Sequence, residues 1–530
     1  MKKSIICFGL LLLILSSCIS EFSDKLNKIE ESDFNIKLAS PIASGNFSIG
    51  ELAEELSRQN LDVTTDEDGI TTFFYRQPSV FSQHASELFS ISNQTFNQKI
   101  NSGVDLPAGG PGQTLNIQDT YNFDLTSSEG DQMYEIQLKG GTLDLGLSGN
   151  LPATGEITLV FTSIIKNNIP VTVNYQWTSD VSQSHSEQID LTDATIDLTD
   201  GSTDFNQFIF NTDLTINYNG KAISSTDGFN IDINLINLDF ELLTATFGNR
   251  NIAADPSYFK LNFIDEIKHG RYFLEEPALH FDIINSIGAP VNIALNQIVA
   301  HSIDKGILPL TGSFLDTPIE IAYPLIPGNK KRTEVSIDET NSNLPEILEF
   351  QPDSLEYTFN GIVNPANNSD IHFVTDTSAI KANVLLEVPL KGYIKNVLIA
   401  EPYDFDGSVF EDIDNALLSI NAENSLPLDA KVQAIFKDEN NIILDSLIYD
   451  NTTIIPAAQT DENGEVTSSS SESIIVVLNS ERLQKISGAQ KLVIRALLNT
   501  PDSPDQSIIF KEENKLEINL FGQTEFNVEF

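Results

Sequence analysis

The sequence predicts an all-β chain, built mainly of tandem antiparallel β-sandwich domains with a few short helices. Three observations predict it. Runs of apolar–polar alternation recur along the 530 residues, and a period of two places one face of a strand in a core and the other in water. Apolar residues make up 40% of the chain, too many for a disordered acidic polymer, while Asn, Asp, Ser and Thr are plentiful, as turns between short strands require. One strand–break–strand pattern also occurs three times at nearly even spacing.

The chain opens MKKSIICFGLLLLILSSC. Two lysines precede an apolar run from Ile5 to Leu15, the form of a secretory leader. The run is shorter than the roughly 20 residues that a membrane-spanning helix needs. Leu15-Ser16-Ser17-Cys18 resembles the bacterial lipobox, in which an aliphatic residue and two small ones precede the cysteine that receives a diacylglycerol. The chain has two cysteines, and Cys7 lies within the leader, so Cys18 has no disulfide partner in its own chain. Cys18 is therefore expected to be lipidated, with residues 1–17 removed. Ile19 rather than Asp after the cysteine favours the outer membrane over inner-membrane retention, by resemblance to the enterobacterial sorting rule. Glu21 and Asp24 resemble, in weak form, the acidic surface-export signal of Bacteroidota.

The repeated pattern is apolar-x-apolar-x-apolar-x-[Asn/Gly]-x-[Leu/Ile]-[Pro/Gly]. Its anchors are Gly149, Asn285 and Asn424. Leu143, Leu145 and Leu147 precede the first, Leu279, Phe281 and Ile283 the second, and Leu418, Ile420 and Ala422 the third. A second alternating run follows each, beginning at Ile157, Val291 and Leu428. Asn and Gly tolerate left-handed backbone and the following Pro or Gly ends ladder pairing, so each copy reads as strand, kink, strand. The strand–Asn–Pro/Gly–strand element resembles, at a distance, the late-embryogenesis-abundant type 2 β-sandwich, although this chain has NSLP and NSIGAP at the anchors instead of Asn-Pro-Asn.

Taken whole, the chain resembles a group of large Bacteroidota outer-membrane lipoproteins. The resembling segments are the lipobox, IKLASPIASGNFSIGELAEEL, DEDGITTFFYR, EEPALHFDIINSIGAPVNIAL, LLEVPLKGYIKNVLIAEPYDFD and NSLPLDAKVQAIFKDENNIILDSL. That resemblance implies an anchored, multi-domain β protein and no particular activity.

The expected order is thus a leader over 1–17, lipidated Cys18 with a polar tether through 33, and sandwiches over 34–215, 216–345 and 346–530. Ser48 with Glu51 fits a capping box that opens a short helix to about Asn60. Asp66 to Gly69 reads as a turn and Asn101 to Gln113 as a loop. Pro256 to Glu266 could be helical, Pro324 to Thr333 reads as a basic hairpin tip, Ser468 to Ser473 as a serine-rich loop, and Arg482 to Leu498 as a short helix and a strand. The ending LEINLFGQTEFNVEF reads as the closing strand of a sandwich; an outer-membrane barrel would need many such strands.

The sequence holds no catalytic signature. His84, His185, His269, His280, His301 and His372 make no i, i+4 pair, and no HExxH, GxSxG or Walker loop occurs. Asp404-Phe405-Asp406-Gly407 with Glu411, Asp412 and Asp414 is acidic enough for a structural calcium, but its Gly is fourth where an EF-hand has it sixth, so an exposed turn is the default. Asp353-Ser354-Leu355 and Asp445-Ser446-Leu447 resemble the Bacteroidota O-glycosylation sequon. Trp177 in VTVNYQWTSD is a core or sheet-surface aromatic before it is a sugar platform. Carboxylates are too numerous for a glycosidase pair to be picked out by counting. No catalytic, cofactor-binding or metal-ligating residue is assigned, and no cofactor is expected.

The formal charge of −46 becomes −48 once Lys2 and Lys3 leave, so nucleic acid is excluded as a partner. The expected function is that of a lipid-anchored, non-enzymatic outer-membrane binding protein, surface-exposed or periplasmic, with a polymer, glycan or protein partner. The alternative is a structural spacer or accessory subunit of an outer-membrane complex.

Overall fold

The structure, a computed structural model, describes residues 34–528 apart from 52–60, 67–68, 111, 128, 254, 262–269, 412, 414, 448–453 and 502–505. The leader, Cys18, the tether, His269, Asp412 and Asp414 lie outside the described residues. Strand makes up 61% and helix 6%, and every strand pairing is antiparallel, as the all-β expectation requires.

The sheets assemble into three sandwiches nested in the chain rather than strung along it. The outer sandwich takes both ends. Phe34–Ser48 pairs with Lys515–Val528 from Phe34 opposite Val528 to Ser48 opposite Lys515, and Asn415–Asn424 and Ser470–Asn479 extend that sheet. Its second sheet holds Val397–Asp404, Lys491–Asn499, Asp429–Lys437 and Ile443–Ser446. The middle sandwich is also built from both sides of the chain. One sheet runs Leu61–Thr65, Thr71–His84, Ala379–Pro389, Ala278–Asn285, Lys331–Ile337; the other centres on Val291–Ser302 and Ser354–Val363. Phe359 meets Phe81 at 5.6 Å and Phe281 at 6.0 Å across the two. The inner sandwich occupies Gln94 to Thr246. Gln132–Gly149 and Gly228–Thr246 lead one layer, Thr154–Lys166 and Gln207–Asn217 the other, and short Thr195–Asp197 pairs with both layers along one side.

The expected boundaries after 215 and 345 therefore fall inside structural units. The first cuts between Gln207–Asn217 and Gly228–Thr246, which share one sandwich; the second separates Val291–Ser302 from its ladder partner Ser354–Val363. Phe34–Ser48, assigned to the first domain, belongs with the last. Local alternation shows that a strand exists but not which distant strand completes its ladder.

The three anchors do occupy one each of the sandwiches, at the corner where the chain leaves one sheet for the facing one. Asn424 is fully buried; its Oδ1 accepts the Leu426 N–H at 2.9 Å and its Nδ2 donates to the carbonyls of Leu428 and Pro456 at 2.8 and 2.9 Å. Asn285 repeats this, accepting from Ile287 N–H at 2.8 Å and donating to Ala322. At Gly149 the amide comes from elsewhere. Gln183 Oε1 accepts the Leu151 N–H at 2.9 Å, and its Nε2 donates to the Leu151 and Ser179 carbonyls. A Cβ on Gly149 would stand 2.7 Å from Gln183 Oε1, so the glycine makes room for the substitute amide. An Asn-Pro step outside the three anchors occurs at Asn364-Pro365. Buried Asn364, at φ +48°, donates to Phe247 O at 2.7 Å and ties the middle sandwich to the inner one.

One apolar core runs through the inner and middle sandwiches, from Leu61 to Val388, and a second fills the outer one. Leu390 and Ile394 pack against both, beside a small sheet of Arg271–Leu274, Lys391–Lys395 and Ile508–Ile509. The junction of inner and middle sandwiches carries a buried ion pair. Arg250 Nη2 meets Asp131 Oδ2 at 2.5 Å, with side chains 6% and 4% exposed, and the guanidinium lies 4.4 Å from the Phe89 ring centre. Arg250 Nε donates to Leu88 O, and Asp131 also accepts from Ser127 Oγ and Gly248 N–H.

His372 sits in the same seam, on a strand that joins His372–Thr375 to the inner sandwich at Ala245. Burial pushes its imidazole below the usual range. The unfolded chain takes up this proton near pH 6.5 and the folded chain only at lower pH, so the contribution is intact above about pH 6.5 and lost as pH falls through the folded value. Chemical denaturation at about pH 7 and pH 5 should show lower stability at the acid end, and His372→Gln should flatten that dependence.

Several local expectations change. Ser257–Lys260, within the segment read as helical, is a strand with Tyr258 exposed and Phe259 buried; 262–269 lies outside the described residues. Residues 324–330 do not tip a hairpin: Ile319–Ile321 and Lys331–Ile337 belong to different sheets. The serine-rich stretch is mostly strand, because Ser470–Asn479 pairs along Asn415–Asn424. The Ser48–Glu51 cap forms in part, with Ser48 Oγ accepting the Glu51 N–H at 2.9 Å, while 52–60 lies outside the described residues. Helix Ser480–Ile486 and strand Lys491–Asn499 match the reading of that segment.

Candidate functional site

The solvent face of the five-stranded sheet in the middle sandwich carries a groove of about 570 Å³. Register puts Arg76, Leu385, His280 and Ser336 in one row across four strands, and Asn383, Asp282 and Glu334 in the next. The row ends at an irregularity. Pro78 has no N–H to give to a ladder, Ser79 takes φ +54°, and the register against Ala379–Pro389 slips between Ala382 and Val384. Ser79 N–H turns instead to Asn383 Oδ1 at 2.9 Å, fixing that side chain at the groove wall.

Both arginines of the groove meet carboxylates. Arg332 Nε meets Asp282 Oδ1 at 2.5 Å and its Nη1 meets Glu334 Oε1 at 2.7 Å. The bond to Asp282, then the nearby carboxylate charges, raise the guanidinium's pKa. Arg76 Nε meets Asp62 Oδ2 at 3.1 Å. His280 bridges the strands on either side, Nδ1 to Ser336 Oγ at 2.8 Å and Nε2 to Glu387 Oε2 at 3.1 Å.

Ser336, His280 and Glu387 thus form a hydrogen-bonded line of the residue types used in acyl transfer. An oxyanion would need donors aimed at it from about 3 Å. Here His280 stands directly opposite Ser336, on the edge strand of the sheet, and Leu385, so the line runs across three neighbouring strands.

The other expected sites resolve into structure. Trp177 is 4% exposed, donates Nε1 to Ala153 O at 2.7 Å and meets the Phe229 ring at 4.8 Å, edge on. It is a core residue, and as the one tryptophan of the chain its fluorescence should resist acrylamide quenching in the folded protein. Asp406 caps a turn, accepting from Ser408 N–H and Oγ, and these bonds hold its carboxyl below the usual range. Gly407 is required there because a Cβ would lie 2.2 Å from Ile486 O. No group of three metal-ligating side chains occurs among the described residues. Ser354 and Ser446 of the two sequons are half-buried in strands, and Asp445 is buried against Arg482 at 2.9 Å. His301 pairs with Glu356 at 2.7 Å, away from the groove. Among the described residues no helix is long and apolar enough to cross a membrane. In the sequence the bulge of the groove is marked by Pro78 inside an otherwise strand-like run, TTFFYRQPSVFSQH.

No family model and no curated protein matches the chain. Among solved structures, a protein from Parabacteroides distasonis thought to be secreted aligns over 52% of this chain and 83% of its own, at 15% identity and a TM-score of 0.29. The tandem CBM22 domains of Paenibacillus barcinonensis Xyn10C align over 57% and 99%, at 8% identity and 0.14. Infectious bursal disease virus, Gx strain, aligns over 85% and 82%, at 8% and 0.12. At these scores the likenesses carry no argument about this chain.

Proposed function

We propose that this chain is a non-enzymatic binding protein, held at the outer membrane by lipid on Cys18, that recognises a polymer or protein through the middle sandwich. The groove carries this reading. It is open, its polar groups are held in place by ion pairs and a bulge, and it lies on rigid strands of a doubly nested scaffold. The anchor rests on Leu15-Ser16-Ser17-Cys18. Protease treatment of intact and of lysed cells, read with an antibody against the outer sandwich, tests the placement. Cleavage on intact cells supports capture of an extracellular ligand; cleavage only after lysis favours an accessory role within the envelope.

The Ser336–His280–Glu387 line favours a second reading, a hydrolase with Ser336 as nucleophile. Labelling by a fluorophosphonate that disappears in Ser336→Ala would establish it. The binding reading expects no such labelling.

A further inference from the structure

We infer that the groove takes an uncharged polyhydroxylated chain, a neutral glycan, laid across the strands. This rests on the reading of the chain as a binding protein and goes on to name the ligand chemistry.

The first argument is charge. Both arginines are engaged, Arg332 by Asp282 and Glu334 and Arg76 by Asp62, while Glu387 hydrogen-bonds His280 Nε2. An anionic ligand would have to break one of these pairs to find a countercharge. A hydroxyl would not, because both arginines have donors left over. A guanidinium has five N–H donors, and Arg76 meets Asp62 through Nε while Arg332 meets its two carboxylates through Nε and Nη1. Carboxylate oxygens accept several bonds each, so the groove offers donors and acceptors side by side, as a diol requires. Asn383, whose Oδ1 is fixed by Ser79, adds an amide NH₂.

The second argument is the floor. Leu385 lies between Arg76 and His280, and Pro78 forms one wall. An apolar strip flanked by polar groups suits a sugar ring, which has a C–H face and a hydroxyl edge. The third is reach. With neighbouring strands about 4.8 Å apart, the four strands from Arg76 to Ser336 span roughly 14 Å, longer than one ring and suited to an oligomer. The fourth is the field of the whole molecule: a formal charge of −46 disfavours a polyanionic glycan before it reaches the groove.

Affinity electrophoresis of the full chain in gels containing xylan, laminarin or glucomannan, with alginate and polygalacturonate as anionic counterparts, tests this. At least one neutral polymer should retard the protein, with less than a twofold change between low and high salt. Arg332→Ala and Leu385→Asp should each weaken that retardation at least tenfold, and His301→Ala, outside the groove, should leave it unchanged. Unfolding midpoints measured alongside separate lost binding from lost folding, and a groove variant that unfolds is replaced by Arg76→Ala. Retardation by none of the neutral polymers, or only by the anionic ones, overturns the inference. Surface cleavage on intact cells together with that result would leave the binding reading standing and the glycan assignment refuted.

Discussion

Replacing Arg250 by methionine should cost roughly 3–5 kcal/mol, because it leaves Asp131 charged and buried without its partner. The same substitution removes the donor to Leu88 O and the cation over Phe89. The pair sits where the inner sandwich joins the middle one, so the loss should fall on that junction. Guanidinium denaturation followed by the signal of Trp177, in the inner sandwich, and by a probe in the outer sandwich should show the first midpoint moving much further than the second. The double variant Arg250→Met/Asp131→Leu should recover most of the loss, since an apolar pair of similar volume leaves no buried charge. Exposed Arg76→Ala, which breaks a pair whose side chains are 60% and 68% exposed, should change stability by less than about 1 kcal/mol.

Asn424→Ala should cost about 3 kcal/mol in the outer sandwich. It strands the Leu426 N–H and the carbonyls of Leu428 and Pro456 in a corner where the side chain itself is fully buried. Gln183→Ala should cost a similar amount in the inner sandwich, as it serves the Leu151 N–H in the same way from a different strand. Gly149→Asn should not repair the Gln183 variant: a Cβ at position 149 also stands 2.7 Å from the Phe229 ring. Unfolding midpoints for the three variants and the Gln183→Ala/Gly149→Asn double check this. The Asn424 corner and the corner with a borrowed Gln would then be shown to rest on one shared interaction.

What could be read from the residues was local. Alternation located most strands, and the offsets around Gly149, Asn285 and Asn424 picked out a corner in each sandwich, because a corner is made by residues close together in sequence. Nesting was not legible. Phe34–Ser48 meets Lys515–Val528 across nearly the whole chain, and nothing in either strand names the other. The groove was illegible for a related reason: Arg76, Asp282, Arg332 and Asn383 come from four strands and only the register of the sheet makes them neighbours. Nothing local to Arg250 marks it in the sequence; Asp131, Phe89 and Leu88, all distant in the chain, make it a structural pin. Within Pro256 to Glu266, Phe259 inward and Tyr258 outward follow the period of a strand, a run too short to set it apart from a helical turn by alternation alone.

The measurement that bears most directly on the account is the intact mass of the protein purified from its own membranes, with fragmentation to locate the first residue. The mature chain should start at Cys18, carry diacylglycerol and a further acyl group there, and become water-extractable in Cys18→Ser. A mature chain that begins elsewhere, or one whose Cys18 carries no lipid, would contradict it.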